Sequence, residues 1–478
     1  MKSVFFLLLG IISSLFSFTP LLAFSFAPSD SVIWQGQTGM KRLILRWHTS
    51  IQKSFPVVIL QPESYYSVPD TGIATLNGDS ISVSCKRSGM GFNGFFSKRS
   101  TQLQGQASLG DSKVLFSLHR ISKIMDISTP QDPKPPFPYQ IENVHFSNKD
   151  SSIRFGATVT VPNKNKKNPV VILVSGTGPQ DRDGTMARHK MFWILADYLS
   201  RKGIAVLRMD DRGVRETTGD YMAATTADFA ADVKTAIEYL KSRKDINPKQ
   251  IGLIGHSEGG IVISLVAASS PDVAFMVSLA GVGLSGLDVT ITQNDALLRK
   301  SRLPEEHVEK FNELFKIWFT TVRDNASATD LDTKIKDAFS SWKATQNQEL
   351  LSKMNLLEYR GDNFTQRYIR QATTPWYRYM IQYDPARVVT KIKVPVLALN
   401  GDKDLMVVGK ENLASFDKYL KEGGNNDFKT VLLPGLNHLF QYCKTCTNEE
   451  SSELEETFSP EALQMISNWI SQHLTSGK

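Results

Sequence analysis

The chain has 478 residues, 41% hydrophobic and 22% charged, which excludes a disordered or low-complexity protein and leaves room for more than one packed domain. Its 55 basic and 48 acidic side chains leave a net charge of +7, but the signs are interspersed, with only short runs such as Lys164-Asn-Lys-Lys167. The surplus therefore describes a solvated surface and not a nucleic-acid-binding face.

The N-terminus combines Met1-Lys2 with an uncharged apolar run from Val4 to Phe26, the pattern of a secretory signal peptide over residues 1–25. Pro20, Ala23 and Ser25 suit cleavage near residue 25. The competing reading is an uncleaved anchor, because the run approaches membrane-spanning length. The expected mature protein is exported, periplasmic or extracellular, with no stable membrane insertion after cleavage.

Residues 26–128 read as a small β-rich domain. Short β-prone segments, such as Leu43-Ile-Leu-Arg-Trp47 and Pro56-Val-Val-Ile-Leu60, are separated by Gly and Asn turns. Five prolines between Pro130 and Pro138 then make residues 129–138 a stiff linker. Residues 139–478 alternate strands with helices. Tyr139–Phe146 and Ile153–Val161 suit an antiparallel hairpin. Continuous apolar strands follow at Val170–Val174, Ile204–Arg208, Ile251–Ile254 and Ala274–Leu279, with amphipathic helices between them. That pattern means a mostly parallel sheet covered by helices on both faces, an α/β fold. From about 286 to 385 the alternation stops and helical spacings take over, which predicts a helical cap over the C-terminal ends of the strands. Strands resume at Val394–Asn400 and Lys429–Leu433, and a last helix starts at Pro460.

Cys85, Cys443 and Cys446 are too few for a disulfide framework. Cys443-Lys-Thr-Cys446 reads as a local loop tie. A zinc site would need a second ligand pair, and none is visible.

The chemistry centres on Gly255-His-Ser-Glu-Gly259, a G-x-S-x-G between strand and helix. This is the setting of a nucleophile elbow, which lifts Ser257 above the sheet edge. A serine hydroxyl needs a base to take its proton and an acid to orient that base. In enzymes built around the elbow these follow in the order Ser, Asp or Glu, His. Gly401-Asp-Lys-Asp404 follows the penultimate strand and Pro434-Gly-Leu-Asn-His438 the last one. Asp404 is the expected acid, with Asp402 shaping the turn, and His438 the expected base. Two N–H donors must receive the oxyanion. Glu258 supplies one, and the loop Ser175-Gly-Thr-Gly-Pro-Gln180 the other, assigned to Thr177. Gly176 and Gly178 let that backbone approach substrate. The aromatic clusters Trp318–Phe319 and Trp376–Tyr379 either face the acyl group, Trp376 above all, or pack the cap's own core.

Val174-Ser-Gly-Thr-Gly-Pro-Gln-Asp-Arg-Asp-Gly184, Leu207-Arg-Met-Asp-Asp-Arg-Gly213, Gly255-His-Ser-Glu-Gly-Gly260 and Leu436-Asn-His-Leu-Phe440 together resemble secreted bacterial α/β-hydrolases related to dienelactone hydrolases and prolyl-oligopeptidase-like esterases. The resemblance covers residues 139–478, and the β-rich region resembles, more weakly, the extra domain such esterases carry. It implies an α/β-hydrolase fold and carboxylic ester hydrolysis, with Ser257, Asp404 and His438 in the triad positions. Two departures bear on the acyl pocket: Ser175 replaces the His of a His-Gly pair, and Arg215-Glu216 stands where a Gly is commoner. The resulting expectation is a serine carboxylesterase acting on a small ester, with no metal or cofactor. A serine peptidase on the same machinery is one alternative. A polymer-binding envelope protein with a vestigial hydrolase domain is the other. The sequence leaves the oligomeric state open.

Overall fold

A computed structural model describes residues 31–38, 41–48, 53–61, 70–85, 89–97, 101–109, 112–122 and 129–475. The leader expected over residues 1–25 lies outside the described residues. Among those described, no helix is long and apolar enough to cross a membrane.

Eight antiparallel strands come first: β1 (Ser31–Thr38), β2 (Lys41–His48), β3 (Ser54–Leu60), β4 (Asp70–Asn77), β5 (Ser80–Cys85), β6 (Gly91–Phe96), β7 (Gln102–Leu109) and β8 (Ser112–Ile121). Each pairs with its neighbour, and β1 pairs back onto β8, closing a barrel without free edges. Period-two alternation turns one face of each strand inward, so Leu43, Leu45 and Trp47 of β2 meet Val57, Ile59, Val83 and Phe116 in a filled interior.

The Pro-rich stretch does not behave as a free spacer. Gln131 donates to the Phe458 carbonyl and accepts from the Thr457 and Phe458 N–H groups, while Thr129 meets the Thr457 hydroxyl. Residues 129–132 are thereby stitched to the segment before the last helix.

The second sheet has eight strands in the order β18-β17-β16-β15-β11-β14-β10-β9. Its members are β9 (Gln140–Ser147), β10 (Arg154–Val161), β11 (Asn168–Val174), β14 (Ala205–Met209), β15 (Ile246–His256), β16 (Phe275–Leu279), β17 (Val396–Gly401) and β18 (Phe428–Leu433). Two short strands, β12 (Thr185–Met186) and β13 (His189–Lys190), form a separate hairpin. β10 is antiparallel to both its neighbours, β9 and β14, and the run β14-β11-β15-β16-β17-β18 is parallel. Helices α2 (Thr226–Ser242) and α3 (Glu258–Ala267) cover one face, burying Val233, Ile237 and Val262 against Leu253 and Ile172. The opposite face is covered by α1 (Met191–Arg201) and by the C-terminal helix (Pro460–Thr475), through Phe192, Leu195, Ile466 and Ile470. A β-sheet of this topology with helices on both faces is the α/β-hydrolase fold.

Between β16 and β17 lies the helical cap: α4 (Gly286–Lys300), α5 (Glu305–Asp324), α6 (Leu331–Ala344), α7 (Gln348–Lys353), α8 (Glu358–Ala372) and α9 (Pro375–Ile381). α5 presents Val308, Phe311, Leu314, Phe315, Trp318 and Val322 along one stripe, the helical period that buries them together. Trp318 is fully buried and stacks on Tyr368 at 4.6 Å, inside the cap's own core. A short α10 (Pro385–Val388) leads back to the sheet, and α11 (Gly409–Glu422) joins β17 to β18.

His189, at β13, is buried with Nε2 against the Ser451 carbonyl and Nδ1 against the Thr457 hydroxyl. A carbonyl only accepts, so Nε2 carries a proton. Burial pulls its pKa down to about 4. A histidine depressed in the folded state contributes stability that is complete above its unfolded pKa and is lost as pH falls through the folded one. His189→Gln, whose amide can still donate to Ser451, should therefore flatten the acid limb of stability between pH 6.5 and 4 by up to about 3 kcal/mol. Urea melts of both proteins at several pH values read this directly. Parallel limbs would show that His189 does not resist protonation.

Candidate active site

The strand β15 delivers Ser257 into a turn that only glycines permit. A Cβ on Gly255 would lie 2.2 Å from the Gly259 carbonyl oxygen, and one on Gly259 would lie 2.4 Å from that of Val174. Ser257 itself has φ 57° and ψ −121°, a conformation costly for any residue with a side chain. The strain is held by Ser257 N–H donating to the Leu279 carbonyl and by α3, which begins at the next residue. Ser257 thus stands at a helix N-terminus, where negative charge is favoured.

Asp404 follows β17 and His438 follows β18, so both reach the same sheet edge. Asp404 Oδ2 is 2.7 Å from His438 Nδ1. Its other oxygen accepts the N–H groups of Met406 and Val407 at 2.7 and 2.9 Å, and Asn400 donates to Oδ2 at 3.0 Å. Asp402 is engaged elsewhere, accepting the Gly435 N–H at 2.6 Å and pairing with Lys403. Asp404 and His438 are both buried.

His256 was not singled out by its sequence position, yet it braces this dyad. Its Nε2 lies 2.9 Å from the His438 carbonyl, and the two rings are 4.7 Å apart. The carbonyl again fixes the proton on Nε2, and burial lowers the ring's pKa to about 3, so His256 is neutral at ordinary pH. The one signal in the sequence is its place immediately before Ser257.

Ser257, His438, Gly176, Thr177, Glu258 and Trp376 line one pocket of about 130 Å³. Its outer wall is cap: Val289 and Leu297 from α4, Phe315 and Phe319 from α5, and Trp376 and Met380 from α9. The aromatic clusters therefore divide. Phe319 and Trp376 face the pocket, whereas Trp318 packs the cap and Tyr379 does not reach the lining. Helical periodicity could not separate these, because the cap uses two faces of the same helices.

No hydrogen bond of the Thr177 or Glu258 N–H group is found among the described residues. Gly176 lies against Ser257, and a Cβ there would sit 2.9 Å from that of Ser257. Gly178 does not line the pocket. Its N–H donates to the Tyr221 hydroxyl at 2.7 Å and its φ is +91°, so it shapes the loop and does not touch substrate. The two departures from the resembled pattern also lie outside the lining. Ser175 donates to Asp211 at 2.5 Å, Arg215 pairs with Asp181, and Glu216 pairs with Arg182. They tie the loop after β11 to the one after β14 and do not line the pocket. Cys443 and Cys446, beyond His438, are joined by a disulfide. Nearby Glu450 accepts the Lys444 and Cys446 N–H groups.

With this geometry in place, residues 150–439 match the family model for X-Pro dipeptidyl-peptidase (S15 family). The chain belongs to the S15 peptidase family. Esterase EstD of Thermotoga maritima is 24% identical over 337 residues, 69% of each chain. The uncharacterized protein YfhR of Escherichia coli K12 is 28% identical over 125 residues, covering 26% of this chain and 41% of YfhR. Among solved structures, the Pyrococcus furiosus esterase Pf2001 is similar at 13% identity and a TM-score of 0.44, covering 73% of this chain and 96% of that one. The α/β hydrolase GrgF from Penicillium is similar at 16% identity and a TM-score of 0.43, covering 70% and 99%. This S15-family chain is a hydrolase of the α/β-hydrolase type.

Proposed function

We propose that this S15-family hydrolase is an exported serine carboxylesterase for small or short-chain acyl esters. The observation that carries the reading is the bonded Asp404–His438 dyad sharing one pocket with Ser257 on its strained elbow. His438 takes the Ser257 proton through Nε2 while Asp404 holds Nδ1. Ser257 Oγ attacks the ester carbonyl, and the oxyanion is received by the Thr177 and Glu258 N–H groups. The alkoxide leaves with the proton from His438. Water, deprotonated by the same imidazole, then releases the acid from the acyl-enzyme. The substrate partner is a small ester, with no nucleic acid and no membrane. The kinship with Esterase EstD supports ester hydrolysis.

The family's name favours a second reading, release of X-Pro dipeptides. Counting two residues from a peptide's N-terminus calls for an anion to receive the terminal ammonium. Glu258 is the one carboxylate in the pocket lining, and its oxygens already accept from Thr177, Thr226 and Trp376. The small pocket and the apolar wall suit an acyl chain better.

The deciding experiment runs p-nitrophenyl esters of graded chain length beside an X-Pro p-nitroanilide. A kcat/KM at least about 100-fold higher for a short ester, a difference of about 3 kcal/mol in transition-state binding, is expected. Faster cleavage of the X-Pro anilide would replace the esterase reading with the peptidase one.

A further inference from the structure

Glu258 presents a problem that its backbone role does not solve. Its side chain is 2% exposed, and burial raises its pKa. No Lys, Arg or His pairs with it among the described residues. A buried carboxylate without a cationic partner is expensive, more than the favourable helix N-terminus alone offsets. What the carboxylate does have is three neutral donors from three separate parts of the fold. Thr177, in the loop after β11, donates to Oε2 at 2.9 Å. Thr226, the buried first residue of α2, donates to Oε1 at 2.7 Å. Trp376, from the first turn of α9 in the cap, donates its indole N–H to Oε1 at 2.8 Å.

Two of these partners are parts of the site. Thr177 carries one of the two N–H groups assigned to the oxyanion, and Glu258 carries the other. Trp376 is a wall of the acyl pocket. We propose that the Glu258 side chain is a positioning residue that locks the two oxyanion donors to each other and to the cap's Trp376, so that pocket wall and oxyanion hole form one unit. This rests on the serine-hydrolase reading above.

The rest of the loop is built to leave Thr177 as its adjustable point. Ser175 and Gln180 are held by Asp211 at 2.5 and 2.8 Å, and Gly178 by Tyr221. Between these anchors, the Thr177 carbonyl accepts from Gln180 Nε2 only at 3.4 Å, and the Thr177 hydroxyl has Glu258 as its acceptor at 2.9 Å. Losing that bond frees the peptide that must aim an N–H at the oxyanion. Ground-state binding of the acyl chain would be little affected, because the apolar wall remains.

The test uses the full chain, a short p-nitrophenyl ester, and a trifluoromethyl ketone, which forms a tetrahedral adduct and samples the oxyanion hole. Thr177→Val removes the hydroxyl and keeps the N–H. It should lower kcat about 10- to 100-fold, somewhat short of the 10²–10³ expected for losing an oxyanion donor outright. KM should change less than about threefold, and ketone affinity should fall in parallel with kcat. Trp376→Phe removes the indole N–H and keeps an aromatic wall, and should lower kcat about tenfold. Because both act through one carboxylate, the double variant should be no worse than about the weaker single, far from the product of the two losses.

Multiplicative losses in the double variant, losses confined to KM, or lowered melting temperatures with unchanged kcat would each overturn the positioning role while leaving the esterase in place. Retained turnover in Ser257→Ala, measured in the same assay, would remove both readings together.

Discussion

Ser257→Ala should lower kcat by about 10⁶-fold, the scale set by removing the nucleophile of a serine-histidine-aspartate unit. The size follows from the elbow. Nothing else in the pocket offers a hydroxyl at a strained helix N-terminus beside His438, and the adjacent threonines, Thr177 and Thr226, have theirs committed to Glu258. A fluorophosphonate should label the parent protein at Ser257 alone, and the variant nowhere. Peptide mapping by mass spectrometry locates the label, and a modified residue other than Ser257 would sink the assignment.

Asp404→Asn should lower kcat by about 10⁴-fold while Asp402→Asn lowers it less than about tenfold. The contrast is geometric. Asp404 accepts from His438 Nδ1 and is itself gripped by two backbone N–H groups, so an amide there would point a donor at a donor and favour the wrong imidazole tautomer. Asp402 accepts one turn N–H and sits beside a lysine. Steady-state kinetics on both variants check the ranking. Equal losses, or the larger loss at Asp402, would move the orienting role.

Much of this arrangement is legible in the sequence because it depends on local rules. Uninterrupted apolar runs with helices between them announce a parallel sheet, and a glycine on either side of His256-Ser257-Glu258 announces the elbow. The loop positions of Asp404 and His438 follow from the strands they terminate. What is not legible depends on contacts between distant residues. β1 meets β8 across the whole of the barrel, and no turn residue encodes that closure. His256 bonds the carbonyl of His438, 182 positions away. Trp318 and Trp376 look alike as aromatic residues on helices, and only the packed cap decides that one is interior and the other pocket wall. Gly178 reads as a substrate-facing glycine in a Gly-rich loop, but the hydroxyl that occupies its N–H belongs to Tyr221, far along the chain.

The stitching of Gln131 and Thr129 to Thr457 and Phe458 has a consequence for how such proteins can be rearranged. Phe458 stacks on Phe440 at 5.1 Å, and Ser459 N–H donates to the Phe440 carbonyl, two residues past His438. Thr129 and Gln131 therefore close an arch of contacts that runs through Thr457, Phe458 and Phe440 to the loop carrying His438. A recombination that exchanged the barrel for another module would keep an intact arch if it joined ahead of Thr129. Joined at residue 139, it would leave the Thr457 and Phe458 N–H groups without their Gln131 acceptor. The packed unit of this hydrolase thus begins before its first strand, in a stretch whose composition reads as a linker.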